Sequence, residues 1–304
     1  MSCRGESRGF RYRHEPNRGL WRQRRRKPVR RYCIGGARPQ RPKIVAQSLL
    51  YPGTGLEQSG GSYEENAESG IRAVAAPMFR DARWFTTDGH PLQYDWDEGA
   101  GHETFAEARR QIDLANQHRS GRLSGMVCPA QVDTCSAALI EEAHGFSEEW
   151  NLPFQIHAAQ NVTKFHEMFR RHGKTPIRWL HYIGALGSHS IIGHGIFLDH
   201  HPWLHWTTRK DLDLLAETGT TVAHCPTVFL RRGITLRTFG TYVRAGVNMG
   251  IGTDTYPHNF LEEMRSTANH ARTMAETVDD VGPRTVAEPD ICRGGSRNSR
   301  RLCG

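Results

Sequence analysis

Several features that would assign this 304-residue chain to a protein class are missing from it. No apolar run approaches the ~20 residues that a transmembrane helix needs, so we predict no contact with a membrane. The N-terminus lacks the apolar stretch of a secretory signal. The seven cysteines are odd in number and show no C-x-x-C spacing, which argues against a disulfide framework. We therefore expect a reducing, cytoplasmic environment.

No glycine-rich phosphate-binding loop follows an early apolar segment of the chain. This absence argues against a nucleotide-binding sheet. The basic net charge of +8 is concentrated at one end of the chain. Residues 1–43 contain thirteen Arg and two Lys against two Glu, a net +13, which leaves −5 for the rest. The body of the protein is therefore mildly acidic.

Residues 1–43 show neither the two-residue period of a strand nor the 3.6-residue period of a helix. Three interpretations remain open. The segment is a basic arm that binds nucleic acid, a disordered solvated tail, or the translation of a shifted reading frame in GC-rich DNA. The acidic body shows no nucleic-acid-binding motif, which argues against the first. We divide the chain into an Arg-rich disordered or non-native segment at 1–61, a body at 62–281 and a basic disordered tail at 282–304.

The body alternates apolar segments with amphipathic ones. Strands are predicted within 71–79, 123–129, 153–160, 190–195, 220–226 and 248–254, and helices at 104–117, 136–150, 162–171, 176–186, 209–218, 237–245 and 260–276. Regular alternation implies parallel strands joined by helical crossovers. We therefore predict an α/β fold, an incomplete (β/α)8 TIM-type barrel of about six units. Residues 80–101 are predicted to form a long loop, either a pocket cover or an ordinary connection.

Three of the predicted strands end in a polar side chain that can bind metal, namely His157, His194 and Asp254. One such residue is more simply a strand cap, but three in order favour a site at the carboxyl ends of the strands. We predict His157 and Asp254 as metal ligands, and His194 as a third ligand or as the group that orients water. Imidazole and carboxylate ligands suit zinc or iron(II) equally well.

Catalysis by such a site requires an activated water and a proton carrier. A bound divalent metal lowers the pKa of its water to about 7 in favourable zinc sites. Asp254 could then accept the water proton and pass it to the leaving group. His224, on the strand between His194 and Asp254, is predicted to contact substrate. The alternative for His224 is a buried histidine that bonds to backbone.

Three motifs in a fixed order make the pattern more specific: IIGHG at 191–195, VAHCPT at 222–227 and GIGTDT at 250–255. Together with His157 they resemble the amidohydrolase superfamily, in its cytosine deaminase-like branch with chlorohydrolases and guanine deaminases. The resemblance implies a (β/α)8 barrel beside a small β-sandwich. It also implies metal-dependent hydrolysis of C–N or occasionally C–Cl bonds, a small heterocyclic or amide substrate and a possible homodimer. It makes His157 a metal ligand, His194 a catalytic histidine and Asp254 both ligand and base.

The chain departs from the family pattern in three ways. No His-x-His pair precedes His157, although the family has one at the end of its first strand. Gln160 replaces the glutamate that usually serves as proton shuttle, and an amide can hydrogen-bond but cannot titrate. Because it occupies that position and can hydrogen-bond, we predict Gln160 as a residue of the catalytic site. The segments expected after residue 280 are not evident. A catalytically inactive remnant of a truncated or shifted gene is therefore the alternative to an active hydrolase.

Overall fold

The computed structural model of the protein describes residues 47–48, 72–87, 89, 92–236, 239–254 and 258–277. All of them belong to the second of the chain's two units, Lys43–Gly304. The expectations for 1–43 and 282–304 fall outside the described residues. None of the helices in the described ranges is long and apolar enough to cross a membrane.

The described residues form strands and helices in alternation, as the sequence predicts. The strands are β1 Gln47–Ser48, β2 Ala73–Ala75, β3 Met78–Phe79, β4 Ala82–Phe85, β5 Gln93–Trp96, β6 Leu123–Gly125, β7 Cys128–Pro129, β8 Phe154–Ala158, β9 Ser190–His194, β10 Thr221–His224 and β11 Asn248–Ile251. The helices are α1 Glu98–Asn116, α2 Ala137–Glu149, α3 Val162–His172, α4 Pro176–Tyr182, α5 Asp211–Glu217, α6 Pro226–Leu230, α7 Phe239–Arg244 and α8 Phe260–Thr277.

Apart from the β4–β5 hairpin, all pairings between the described strands are parallel. Strands β8, β9, β10 and β11 are neighbours in chain order, and β1, β2 and β6 form a second parallel sheet beside the pair β3–β7. Parallel bridges from Val127 to Phe154 and from Gln131 to His157 join this second group to β8. The predicted α/β architecture with parallel strands is therefore confirmed. Because the strands run the same way, their carboxyl ends meet at one edge.

Two segments differ from their prediction. Gln47–Ser48, which lie in the segment 1–61 predicted as disordered or non-native, pair in parallel with β2. Residues 80–101, predicted as one long loop, instead contain the antiparallel hairpin β4–β5 and the start of α1. Helix α1 begins at Glu98 because the Asp97 side chain accepts a hydrogen bond from the Ala100 amide and satisfies the first turn. The aromatic side chains of the hairpin stay largely exposed, which obscures the alternation of a half-buried strand.

Side-chain caps define where the helices around the candidate site begin, and burial defines the strand between them. Ser136, Asn161 and Thr175 accept backbone hydrogen bonds at the starts of α2, α3 and α4. All five residues of β8 are buried, as expected for a parallel strand covered on both faces. The strand that carries His157 is therefore enclosed along its whole length.

A pair of buried carboxylates lies at the start of α5. The Asp211 side chain accepts hydrogen bonds from the Thr175 hydroxyl at 2.5 Å and the Asp199 amide at 3.0 Å. Asp199 accepts the Thr208 hydroxyl at 2.6 Å and the Lys210 amide at 2.7 Å. Burial, and then the charge of Asp199, raise the pKa of Asp211 to about 7. These contacts tie the loop after β9 to α4.

Replacing Gly125 should test the packing of α1 on the sheet. A Cβ at Gly125 would lie 2.5 Å from Ile112 Cγ2 and 3.0 Å from its Cα, so the helix has to move. We expect Gly125→Ala to lower the free energy of unfolding by about 1–3 kcal/mol in urea denaturation. The matched control is Gly145→Ala in α2, where a Cβ meets nothing within 4 Å. Equal stability of the two variants would contradict this packing.

Asp211 should make stability depend on pH. Its folded pKa of about 7 lies above the unfolded value, so the contribution is present at low pH and is lost as pH rises through about 7. Between pH 5 and 8 we expect the wild type to lose about 3 kcal/mol relative to Asp211→Asn, at about 1.4 kcal/mol per pKa unit. Urea denaturation at both values measures this. Any constant effect of the lost Asp199 contact cancels in the comparison. Parallel pH profiles for the two proteins would disprove the assignment.

Candidate active site

His157 stands at the carboxyl end of β8 with its ring held in one orientation. Its Nδ1 lies 2.6 Å from the carbonyl oxygen of Ala130, to which it donates, and the lone pair is then on Nε2. Burial chiefly, with the nearby charge of Lys164, lowers the pKa of His157 to about 4. A neutral imidazole fixed through a backbone carbonyl is the form in which histidine binds metals.

His194 is the last residue of β9 and packs beside His157. The two ring centroids are 5.1 Å apart, and the edge of Phe229 covers His194 from another side. Its pKa is lowered well below the ordinary value, mainly by burial. Its Nδ1 is buried and has no hydrogen-bond partner among the described residues. Its backbone is left-handed, with φ of 76°, a conformation that is uncommon for a non-glycine residue.

Gly193 makes room for this pair of rings. A Cβ at that position would lie 2.6 Å from Cδ2 of His157 and 3.2 Å from its Nε2. The hydrogen atom of a glycine is therefore what allows β9 to pass so close to the His157 ring. Gly193 lies within the IIGHG motif, and the sequence alone does not predict this role for it.

Asp254 follows β11 and faces His194. Its Oδ2 is 3.8 Å from His194 Nε2, and its backbone is also left-handed, with φ of 48°. The pKa of Asp254 is raised to about 6, chiefly by burial; the charge of Arg232 opposes the rise and the charge of Glu263 adds to it. The structure therefore brings together His157 and His194, and His194 and Asp254, from the ends of three parallel strands.

The other two predicted site residues lie beside this group. The Gln160 amide nitrogen donates to Gln131 Oε1 at 3.2 Å, which links the loops after β8 and β7. His224 is buried at the end of β10 with its ring centroid 5.9 Å from that of Phe239. Burial lowers the pKa of His224 to about 3, and its Nδ1 has no partner within the described ranges. The backbone bond proposed as its alternative role is not formed by that nitrogen.

A buried ion pair between Lys164 and Asp133 was not predicted from the sequence. Lys164 Nζ lies 3.5 Å from Asp133 Oδ1, and the hydroxyl of Tyr94 donates to Asp133 Oδ2 at 2.8 Å. The charge of Lys164 lowers the pKa of both His157 and His194, so it lies within electrostatic reach of each. The sequence signal for this ion pair was Lys164 itself, a charged residue among the apolar residues that α3 buries.

The donor set fits a divalent metal in its chemistry. His157 and His194 are neutral imidazoles and Asp254 is a carboxylate, and such ligands suit zinc or iron(II). The buried, unpaired Nδ1 of His194 is the kind of atom that a bound group would satisfy. Across the described ranges, however, no three His, Cys, Asp or Glu side chains are gathered closely enough to coordinate one ion. The metal ligands therefore remain predictions.

Comparison with known families assigns the chain. The model of the amidohydrolase family matches residues 55–287. The chain belongs to the amidohydrolase family. This confirms the resemblance inferred from the three motifs and agrees with a site at the carboxyl ends of parallel strands.

Curated relatives of this amidohydrolase are deaminases. A 5-methylthioadenosine/S-adenosylhomocysteine deaminase of Thermococcus kodakarensis is 32% identical over 186 residues, which cover 59% of this chain and 41% of the relative. A 5'-deoxyadenosine deaminase of Methanopyrus kandleri is 29% identical over 234 residues, or 76% of this chain and 48% of the relative. The chain thus spans about half the length of the curated relatives it matches.

Solved structures share the fold at lower identity. Guanine deaminase from C. acetobutylicum with bound guanine has a TM-score of 0.65 and 16% identity, and the match covers 90% of this chain and 60% of that one. The atrazine chlorohydrolase of Arthrobacter aurescens TC1, a mutant complexed with zinc and atraton, has a TM-score of 0.59 and 18% identity over 86% and 56%. These matches show a shared fold.

Replacing Gly193 should disturb His157 specifically. In Gly193→Ala the new methyl group displaces the imidazole from the Ala130 carbonyl, because the two cannot share the space. We expect zinc bound per chain, measured by elemental analysis after reconstitution, to fall at least fivefold. Gly187→Ala, in the loop before β9, meets nothing within 4 Å and serves as control. If Gly193→Ala binds as much zinc as Gly187→Ala, His157 is ruled out as a ligand.

Proposed function

We propose that this amidohydrolase is a metal-dependent hydrolase that removes an amino group from a planar heterocyclic substrate of the purine or nucleoside kind. The supporting observation is the meeting of His157, His194 and Asp254 at one edge of the parallel sheet. Its curated relatives are named as deaminases of adenosine derivatives, and the guanine deaminase neighbour carries guanine. Hydrolysis of a non-peptide C–N bond releases ammonia and leaves a carbonyl on the ring.

We further propose that the parallel strands are part of a (β/α)8 barrel, with six units represented by the strand positions from β2–β3 to β11. The chain-order neighbours and the common edge support this architecture. In such a barrel the carboxyl-terminal edge is where catalytic groups converge.

His157 and Asp254 are the residues that would hold the metal, with His194 as a third ligand or as the group that orients water. Zinc or iron(II), when bound, supplies a water of lowered pKa. The protein's own contribution is to keep both imidazoles neutral by burial and to fix the His157 tautomer through Ala130. A protonated ring would offer no lone pair to an ion.

Asp254 is the carboxyl group that we propose for proton transfer. It lies 3.8 Å from His194, and the amide of Gln160 cannot give up a proton. Gln160 instead presents an amide that is already engaged with Gln131 and can orient a substrate group by hydrogen bonding. In this scheme one carboxylate does the work that the family usually divides between two.

Gln160 also supports a second candidate, an amidohydrolase that has lost catalysis and retains ligand binding. General acid–base groups contribute about 10²–10⁴-fold to rates, so the missing glutamate alone accounts for a large loss. The two candidates differ in one measurable property, the release of ammonia.

Metal content and ammonia release test the proposed function together. We expect about one equivalent of zinc or iron after reconstitution, ammonia release from adenosine or guanine, and loss of activity on chelation. The thermal midpoint should fall with chelation as well, because an ion that binds only the folded state stabilises it. Less than a tenth of an equivalent of metal would count against the proposal. Full metal without ammonia from any heterocyclic amine would favour the inactive alternative.

Restoring the family's acid should increase the rate. We expect Gln160→Glu to raise kcat for deamination at least tenfold, because a carboxyl group then lies where the leaving amine is protonated. The Gln131 side chain can reverse its amide and donate to the new carboxylate, so the fold should tolerate the change. Gln117→Glu, exposed after α1, is the matched control for added charge. A rate that is unchanged or lower in Gln160→Glu would refute this role for position 160.

A further inference from the structure

The β4–β5 hairpin carries three aromatic side chains on one face. Trp84 is paired across the hairpin with Tyr94, and Ala82 with Trp96. Opposed residues of an antiparallel pair lie on the same face, as do residues two apart along a strand. Tyr94 uses its hydroxyl to contact buried Asp133, so this shared face is turned toward the sheet's edge and α3.

The hairpin is fastened to the loops around the candidate site. At its base, the Ala82 amide donates to the Thr134 carbonyl at 2.9 Å, in the loop after β7. The Asp97 amide donates to the Asp81 carbonyl at 2.7 Å and closes the two strands. The hairpin is therefore held above the carboxyl edge of the sheet rather than being free to swing away.

Two of the three aromatic side chains already have a partner from α3. The Arg171 guanidinium lies 3.9 Å from the ring centre of Tyr94 and 5.1 Å from that of Trp96. Among the residues that the structure describes, Trp84 has no comparable cover, since Lys164 Nζ is 5.8 Å from its ring centre and is paired with Asp133. With 49% of its surface exposed, Trp84 offers a ring face to solvent beside a residue whose charge reaches His157 and His194.

We propose that Trp84 is the stacking platform for the planar ring of the substrate, and so a specificity-determining residue of this site. The inference rests on the proposed function, because a planar heterocycle is what an indole face recognises. Aromatic stacking tolerates many ring systems, so Trp84 selects for planarity, and the groups at the strand ends select for chemistry. Lys164 Nζ lies over the same ring, 5.8 Å from its centre, and favours rings with an accepting atom on that side.

The test measures binding rather than turnover. Isothermal titration calorimetry with inosine uses a purine ring that has no amine to be removed, and D-ribose is the non-planar control. We expect Trp84→Ala to weaken inosine binding by about tenfold or more, as removal of a stacked ring does. Trp84→Phe, which keeps a ring, should stay within about threefold of the wild type. Ribose binding should not respond to any variant.

The matched control is Trp150→Ala. Trp150 is similarly exposed, at 54%, but follows α2 and precedes β8, at the opposite edge of the sheet. Trp84→Leu keeps apolar volume without a ring, so it separates stacking from a folding effect, and equal thermal midpoints verify the fold. If the wild type deaminates heterocycles or binds inosine, substrate affinity that is the same in Trp84→Ala and Trp150→Ala overturns the platform alone. If the wild type neither binds inosine nor releases ammonia, the platform and the proposed function are both overturned.

Discussion

The contact between His157 and its neighbouring strands is the constraint on which the candidate site depends. The Ala130 carbonyl fixes the ring from one side, and Gly193 gives it space on the other. Both neighbours belong to segments that pair in parallel with β8, so the hydrogen bonding of the sheet sets the ring's position. A buried imidazole that is oriented by a backbone carbonyl has one tautomer and one usable lone pair. The sheet thus supplies chemistry as well as support.

Burial then decides the charge state of the group. His157, His194 and His224 are each enclosed, and the loss of solvation disfavours the charged form of each. The same effect acts on Asp254 in the opposite sense and raises its pKa toward neutrality. One physical cause therefore prepares neutral nitrogen donors and a carboxyl group that can exchange a proton near physiological pH. Both are what hydrolysis of an amine on a ring requires.

The β4–β5 hairpin, which is partly exposed to solvent, packs on the helix that follows the His157 strand. Arg171 contacts Tyr94 and Trp96, while Lys164 pairs with Asp133 and approaches Trp84, so α3 supports the hairpin. The helix directly follows the strand that carries His157. The proposed stacking platform and the predicted metal ligand His157 are consequently both connected to one βα unit.

The sequence by itself determined the alternation of strands and helices, the order of His157, His194 and Asp254, and membership of the family. These depend on local periodicity and on motifs, which are present in the chain before it folds. It did not predict the hairpin, because residues 80–101 expose their aromatic side chains and hide the alternation. Only the tertiary structure placed Lys164 beside Asp133 and Gly193 against His157, since those contacts join separate strands and a helix. Which atoms approach across a sheet depends on register and burial, and neither is written in local sequence.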